Sequence, residues 1–185
     1  MNTVVTSREK ILKISRELIQ SQGWKAVNIR SVATACGVSV GSIYYYFDSK
    51  TSLISATVES VWMEIFHHPV DESVLSNIEA YISWLYSRME YGSRKYPGFF
   101  TLHSLGFLQE DKEDGKEKMQ QAWNHIRQSI LSVLKNDPRI RPDAFSDQFT
   151  AEQFANVLFS LMLSALLREE YDPSAVLEIV RRTVF

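Results

Sequence analysis

From Ile29 to Asp48 the chain reads IRSVATACGVSVGSIYYYFD, with apolar or small groups wherever two short helices crossing at a steep angle would touch. The contact positions are Val32, Ala33, Cys36, Gly37, Val38, Ile43 and Tyr46. Ala33 is where the second helix comes nearest, and anything larger than a methyl would hold the pair apart. Gly37 falls in the turn, where positive φ is open to glycine and costly to most other residues. Ser39 predicts an N-cap for the second helix, its hydroxyl accepting from a backbone N–H two or three residues on, and Asn28 offers the first helix the same. The unit reads as a helix-turn-helix, whose second helix is of a size to enter the major groove of DNA.

Charge supports that reading only when it is located. The whole chain of 185 residues has a formal net charge of −2, which argues against indiscriminate nucleic-acid binding. Residues 1–50 nonetheless hold Arg8, Lys10, Lys13, Arg16, Lys25, Arg30 and Lys50 against Glu9, Glu17 and Asp48, a local net of +4, so the remainder carries −6. A basic end on an acidic body attracts DNA at one face and repels it elsewhere, which orients the encounter. With 45% hydrophobic residues the chain is long enough to bury a core. The lone Cys36 forms no intramolecular disulfide, and Met1 to Ser7 has no signal-peptide character, so a cytoplasmic location is expected. The longest apolar run, Val157 to Leu167, is shorter than the roughly 20 residues a membrane span needs, and no membrane association is expected.

Periodicity predicts an all-α chain. A first amphipathic helix opens at Ser7, carries Ile11, Leu12, Ile14, Leu18 and Ile19 on one side, and ends at Gly23 as an αL cap. After the helix-turn-helix, Asp48 or Ser49 caps a fourth helix from about Lys50, stopped by Pro69. The domain division follows: residues 1–50 form a three-helix DNA-binding domain, the fourth helix (about 50–67) links it, and 51–185 form a second helical domain. In the latter a helix is expected from Ser73 to about Tyr91 and a shorter one from Pro97 through Leu108. A charged stretch from Glu110 to Lys118 then leads into a long helix through Leu134, and helices at 151–168 and 173–183 complete the chain.

The segment FANVLFSLMLSALL, Phe154 to Leu167, is apolar around nearly its whole circumference and needs cover on two sides. A central core helix meets that need. A helix shared between its own domain and a second copy also meets it, with Phe154, Val157, Leu158, Leu161 and Ala165 at the interface. Dimerisation suits a helix-turn-helix, since one recognition helix reads only a few base pairs and two-fold symmetry supplies a second half-site. The body is rich in large aromatics at helical spacing. Most such residues fill a core, yet together they favour a pocket for an apolar or aromatic small molecule. The expected lining is Trp62, Phe66, Trp84, Phe100, His103, Phe107, Met119, Trp123, Phe159 and Met162, with His103 and Trp123 as polar handles.

The first 66 residues closely resemble the TetR (tetracycline repressor) family of bacterial regulators. The likeness is carried by Gly23-Trp24, Ala26 to Ile29, Val32-Ala33, Ala35 to Ser39, Gly41 to Tyr44, Tyr46-Phe47, Ser49-Lys50 and Leu53. The family usually has threonine in place of Asn28, alanine in place of Cys36 and often an acid in place of Thr51. The resemblance implies an all-helical homodimer that binds a palindromic double-stranded operator, usually as a repressor, with a small-molecule inducer pocket in its C-terminal body. Ser39, Val40, Gly41 and Ser42 are then expected near base edges, and Tyr44 and Tyr45 on phosphates or bases. Lys50 is placed for a phosphate, while Asn28 and Arg30 grip the backbone from the start of the second helix. Tyr46 fits the core and a DNA contact equally well.

Two other functions fit the sequence less well. An all-helical enzyme lacks support, because His67, His68, His103 and His125 make no metal-ligand spacing and no phosphate loop or nucleophile elbow is present. No catalytic residue, metal or cofactor is therefore expected. A helical dimer of the same fold acting through protein partners would not need Tyr44, Tyr45 and Lys50.

Overall fold

A computed structural model describes residues 6–66, 72–100 and 113–185, and these are helical with turns and no strand among the described residues. In chain order the elements are α1 (Arg8–Gln22), a 3-10 turn (Trp24–Ala26), α2 (Ile29–Cys36), α3 (Val40–Tyr46), α4 (Lys50–Phe66) and α5 (Glu72–Leu75). They continue with α6 (Ile78–Lys95), α7 (Glu113–Asn136), α8 (Ala151–Arg168) and α9 (Ser174–Val184). One hydrophobic core runs without interruption from Ile11 and Ile19 of α1 through Leu53, Val61 and Ile65 of α4 to Phe154 and Met162 of α8. Among the described residues no helix is long and apolar enough to cross a membrane.

Local signals set most of the helix starts. Ser7 accepts from Lys10 N at 3.1 Å to open α1, and Thr150 with Gln153 closes a reciprocal capping box on α8. Three expected boundaries are corrected. Gly23 does have positive φ, but with ψ 175° it is not αL, because the chain leaves α1 straight into the 3-10 turn. The expected helix from Ser73 to Tyr91 is two elements: Asn77 caps α6 by accepting from Ala80 N at 3.0 Å, and Asp137 accepts from Ile78 N at 2.9 Å, so α6 starts anew and runs on to Lys95. The charged stretch before the long helix belongs mostly to it, since α7 begins at Glu113. The short helix expected from Pro97 is described only at Phe99 and Phe100.

The contact between α4 and α6 positions everything N-terminal to it. Gly92 lets the two helices approach so nearly that a Cβ there would stand 2.7 Å from Ile65 Cδ1 and 3.0 Å from Phe100 Cζ. Arg88 of α6 donates to the carbonyls of Glu64 (3.0 Å) and Ile65, supplying a cation and donors to the last turn of α4. The Glu64 carboxylate joins Arg16 of α1 at 2.8 Å to Lys95 of α6, and Gln20 of α1 donates to the Tyr96 hydroxyl at 3.0 Å. Around this junction Trp24, Trp62, Phe66, Tyr96, Phe99 and Phe100 pack ring on ring, with centroids 5.1 to 6.5 Å apart.

Candidate nucleic-acid interface

The face that presents α3 is built from caps. Asn28 Oδ1 accepts from Arg30 N and Ser31 N, both at 3.0 Å, and Ser31 Oγ accepts from Asn28 N at 3.1 Å. Gly37 ends α2 at φ 67°, ψ 33°, and the N–H of Val38 bonds back to Ala33 O at 3.0 Å. That closed turn sets the crossing of α2 and α3. Ser39 then caps α3, accepting from Ser42 N at 3.1 Å, and its hydroxyl lies 2.9 Å from that of Ser42. The inward side of this unit is Val32, Ala33, Cys36, Ile43 and Phe47, all buried. Burial pushes the Cys36 thiol up from its ordinary range, against a smaller opposing effect of Lys10, as befits a structural rather than a reactive group.

The outward side carries the expected contact residues. Ser39, Val40, Gly41, Tyr44, Tyr45 and Lys50 are exposed, Tyr45 at 82%, and a Cβ built on Gly41 would meet nothing nearer than Ser39 Oγ at 3.7 Å. The backbone at Gly41 is thus open to close approach. Ser42 is half-buried and held by Ser39. Arg30 is exposed, and Asn28 is half-buried with its carbonyl oxygen engaged in capping. Lys50 stands in the first turn of α4, where Ser49 Oγ accepts from Ser52 N at 3.0 Å.

Tyr46 has another occupation. Its hydroxyl donates to Thr6 O at 2.9 Å, its ring meets Tyr45 edge-on at 5.0 Å, and it is half-buried. Arg8 lies over the neighbouring Phe47 ring at 5.5 Å. The segment entering α1 is therefore fastened to the end of α3, an arrangement with no local signal because the partners are forty residues apart.

The residues expected to line a pocket separate into groups. Trp62, Phe66 and Phe100 belong to the aromatic packing at the α4–α6 junction, and Met162 is buried in the core. Trp84 stacks on Tyr81 with centroids 5.6 Å apart. Trp123 and Phe159 meet edge-on at 6.1 Å and, with Gln120, Asn124 and Arg127, line a cleft of about 290 Å³ between α7 and α8. His103 and Phe107 lie outside the described residues, as does the side chain of Met119. Of the expected dimer residues, Phe154, Leu158 and Ala165 are buried in the protomer's own core. Val157 is 46% exposed and Leu161 half-buried, on a side of α8 that also presents Ser160, Ser164 and Leu167. Among the described residues no group of three His, Cys, Asp or Glu side chains is arranged to hold a metal ion.

Comparison with known proteins agrees with this geometry. Residues 11–57 match the family model of bacterial regulatory proteins, tetR family. An uncharacterized HTH-type transcriptional regulator from the lacX 3′ region of Lactococcus lactis subsp. lactis is 26% identical over 135 residues, 69% of this chain and 68% of that one. The HTH-type transcriptional repressor KstR2 of Rhodococcus jostii (strain RHA1) is 32% identical over 59 residues, covering 32% of this chain and 29% of its own length. The crystal structure of a TetR transcriptional regulator from Legionella pneumophila superposes over 100% of both chains, with a TM-score of 0.63 at 19% identity, a likeness of fold.

Proposed function

Because the chain belongs to the tetR family of bacterial regulatory proteins through residues 11–57, we propose that it is a cytoplasmic repressor that binds a palindromic operator as a homodimer and leaves it when a small apolar or aromatic ligand is bound. The observation that carries this reading is the α3 face: Val40, Gly41, Tyr44 and Tyr45 project from a capped, core-backed helix, with Lys50 exposed beside them. Residues 1–50 are the reading head, α4 the link, and 51–185 the part that binds ligand and partner copy. The name of the KstR2 repressor supports the sign of regulation. The partner copy docks on the outward side of α8, where Val157 and Leu167 are 46% and 48% exposed and Ser160 and Ser164 permit close approach. Ligand acts by favouring a body conformation in which α4, held to α6 at Gly92 and Arg88, sets the two heads at a wrong separation.

Fluorescence anisotropy with labelled duplexes from upstream of the protein's own gene tests the reading. Binding that is salt-dependent, selects one palindromic segment over scrambled DNA and is lost in Tyr44→Ala/Lys50→Ala is expected. Val157→Arg/Leu167→Glu is expected to give a monomer by light scattering and to lose operator affinity. Equal affinity for specific and scrambled duplexes would overturn the proposal.

A further inference from the structure

The cleft between α7 and α8 holds an unfilled demand for hydrogen-bond acceptors. Trp123 and Arg127 stand one helical turn apart on α7, and the indole Nε1–H and the guanidinium Nε–H are both buried without an acceptor. Buried donors are almost always paired, so two of them in the lining of one cleft call for an explanation. The remaining lining sharpens it. Asn124 Oδ1 accepts from an Arg127 terminal nitrogen at 2.6 Å, which anchors one end of the guanidinium and leaves Nε free of that bond. Phe159 sets its ring edge-on to Trp123, walling the cleft with two flat apolar surfaces, and Gln120 adds an amide. Among the described lining residues Arg127 alone is charged.

From these features we infer that the cleft binds a planar aromatic carboxylic acid as its anion. One carboxylate supplies acceptors to Trp123 Nε1–H and Arg127 Nε–H. The aromatic body of the ligand lies against Trp123 and Phe159. A volume of about 290 Å³ fits one or two fused rings with a short acid group. The inference deepens the ligand-responsive reading and rests on it for its regulatory meaning, while binding itself is measurable separately.

Benzoate, 1-naphthoate, 2-naphthoate and indole-3-acetate, each beside its uncharged primary amide, are titrated into the full-length ¹⁵N-labelled protein. The Trp123 indole N–H signal, assigned by its absence in Trp123→Phe, is followed by NMR. At least one acid is expected to move that signal in a saturable manner and to bind at least tenfold more tightly than its amide. Arg127→Gln is expected to remove most of that preference, and Arg127→Lys, which keeps the charge without the guanidinium Nε, to restore part of it. Unchanged melting temperatures in these variants identify folded protein. Equal affinity of acid and amide, or no acid moving the Trp123 signal at millimolar concentration, overturns the inference. The same compounds in the operator assay separate the two readings. An acid that binds at Trp123 without changing operator affinity supports the site and counts against ligand release. A neutral compound that releases the operator while leaving the Trp123 signal still supports release and counts against this cleft as the regulatory site.

Discussion

The approach of α6 to α4 at Gly92 lends itself to a double-mutant cycle. Gly92 sits inside α6 with ordinary helical backbone, so Gly92→Ala taken alone should stabilise the helix by about 0.5–1 kcal/mol. The new methyl would stand 2.7 Å from Ile65 Cδ1, 3.1 Å from Ile65 Cγ1 and 3.0 Å from Phe100 Cζ. Non-bonded carbons prefer roughly 3.5–4.0 Å, so Ile65 must leave its rotamer or α4 must back away from α6, an overpacking cost of about 1–3 kcal/mol. Ile65 and Phe100 are both buried, which denies either an easy retreat. The two effects nearly cancel or leave a net loss of up to about 2.5 kcal/mol. Ile65→Val removes the nearest atom and by itself costs about 0.5–1.5 kcal/mol. In the Ile65→Val background Gly92→Ala should become neutral or slightly stabilising, giving a favourable coupling of about 1 kcal/mol or more. Urea unfolding of the four proteins, followed by far-ultraviolet circular dichroism, measures that coupling. Additivity within about 0.3 kcal/mol would refute the close approach.

Further outcomes are expected elsewhere. Gly37→Ala should cost about 1–2 kcal/mol, all of it conformational, since a Cβ there meets no atom within 4 Å; Gly37→Asn should cost less, and equal losses would contradict the left-handed turn. Lys50→Ala should weaken binding to all duplexes alike and lower the salt slope by about one, whereas Tyr45→Ala should change which duplex is preferred. Burial would raise the Glu64 carboxyl, but hydrogen bonds from Lys95 and Tyr96 and the charges of Lys95 and Arg16 outweigh it and hold it below its ordinary value. A depressed carboxylate lends stability above its unfolded pKa and loses it as pH falls through the folded one. Unfolding free energy should therefore drop on acidification below about pH 5, and less steeply in Glu64→Gln. Asp137→Ala strips acceptors from Ile78 N and Arg139 and should cost about 2–3 kcal/mol in the same urea assay.

The elements were legible in proportion to how local their determinants are. Ser7, Asn28 and Ser39 act on N–H groups two or three residues away, so their caps could be read directly. The start of α6 could not, because half of its capping comes from Asp137, fifty-nine residues on. Tyr46 was undecidable for a similar reason: spacing puts it between the buried and exposed sides of α3, and its partner is the carbonyl of Thr6. The aromatics of the body offered no way to tell packing from lining. Trp62 and Phe100 fill the α4–α6 junction, while Trp123 and Phe159 border a cleft, although all four are large and apolar. Which side of α8 faces its own core was equally hidden in a helix apolar all round.

By itself, then, the sequence determined the helical period, the glycine turn between α2 and α3, the caps and the basic character of residues 1–50. Each of these depends on backbone geometry within a few residues or on charge summed along the chain. Tertiary structure alone decided that Gly92 lets α6 seat against Ile65, that Glu64 ties α1 to α6, and that Trp123 Nε1–H and Arg127 Nε–H are buried without acceptors. Those facts depend on which surfaces meet, and contact between distant helices is settled by shape and solvent exclusion over the whole core rather than by any local pattern.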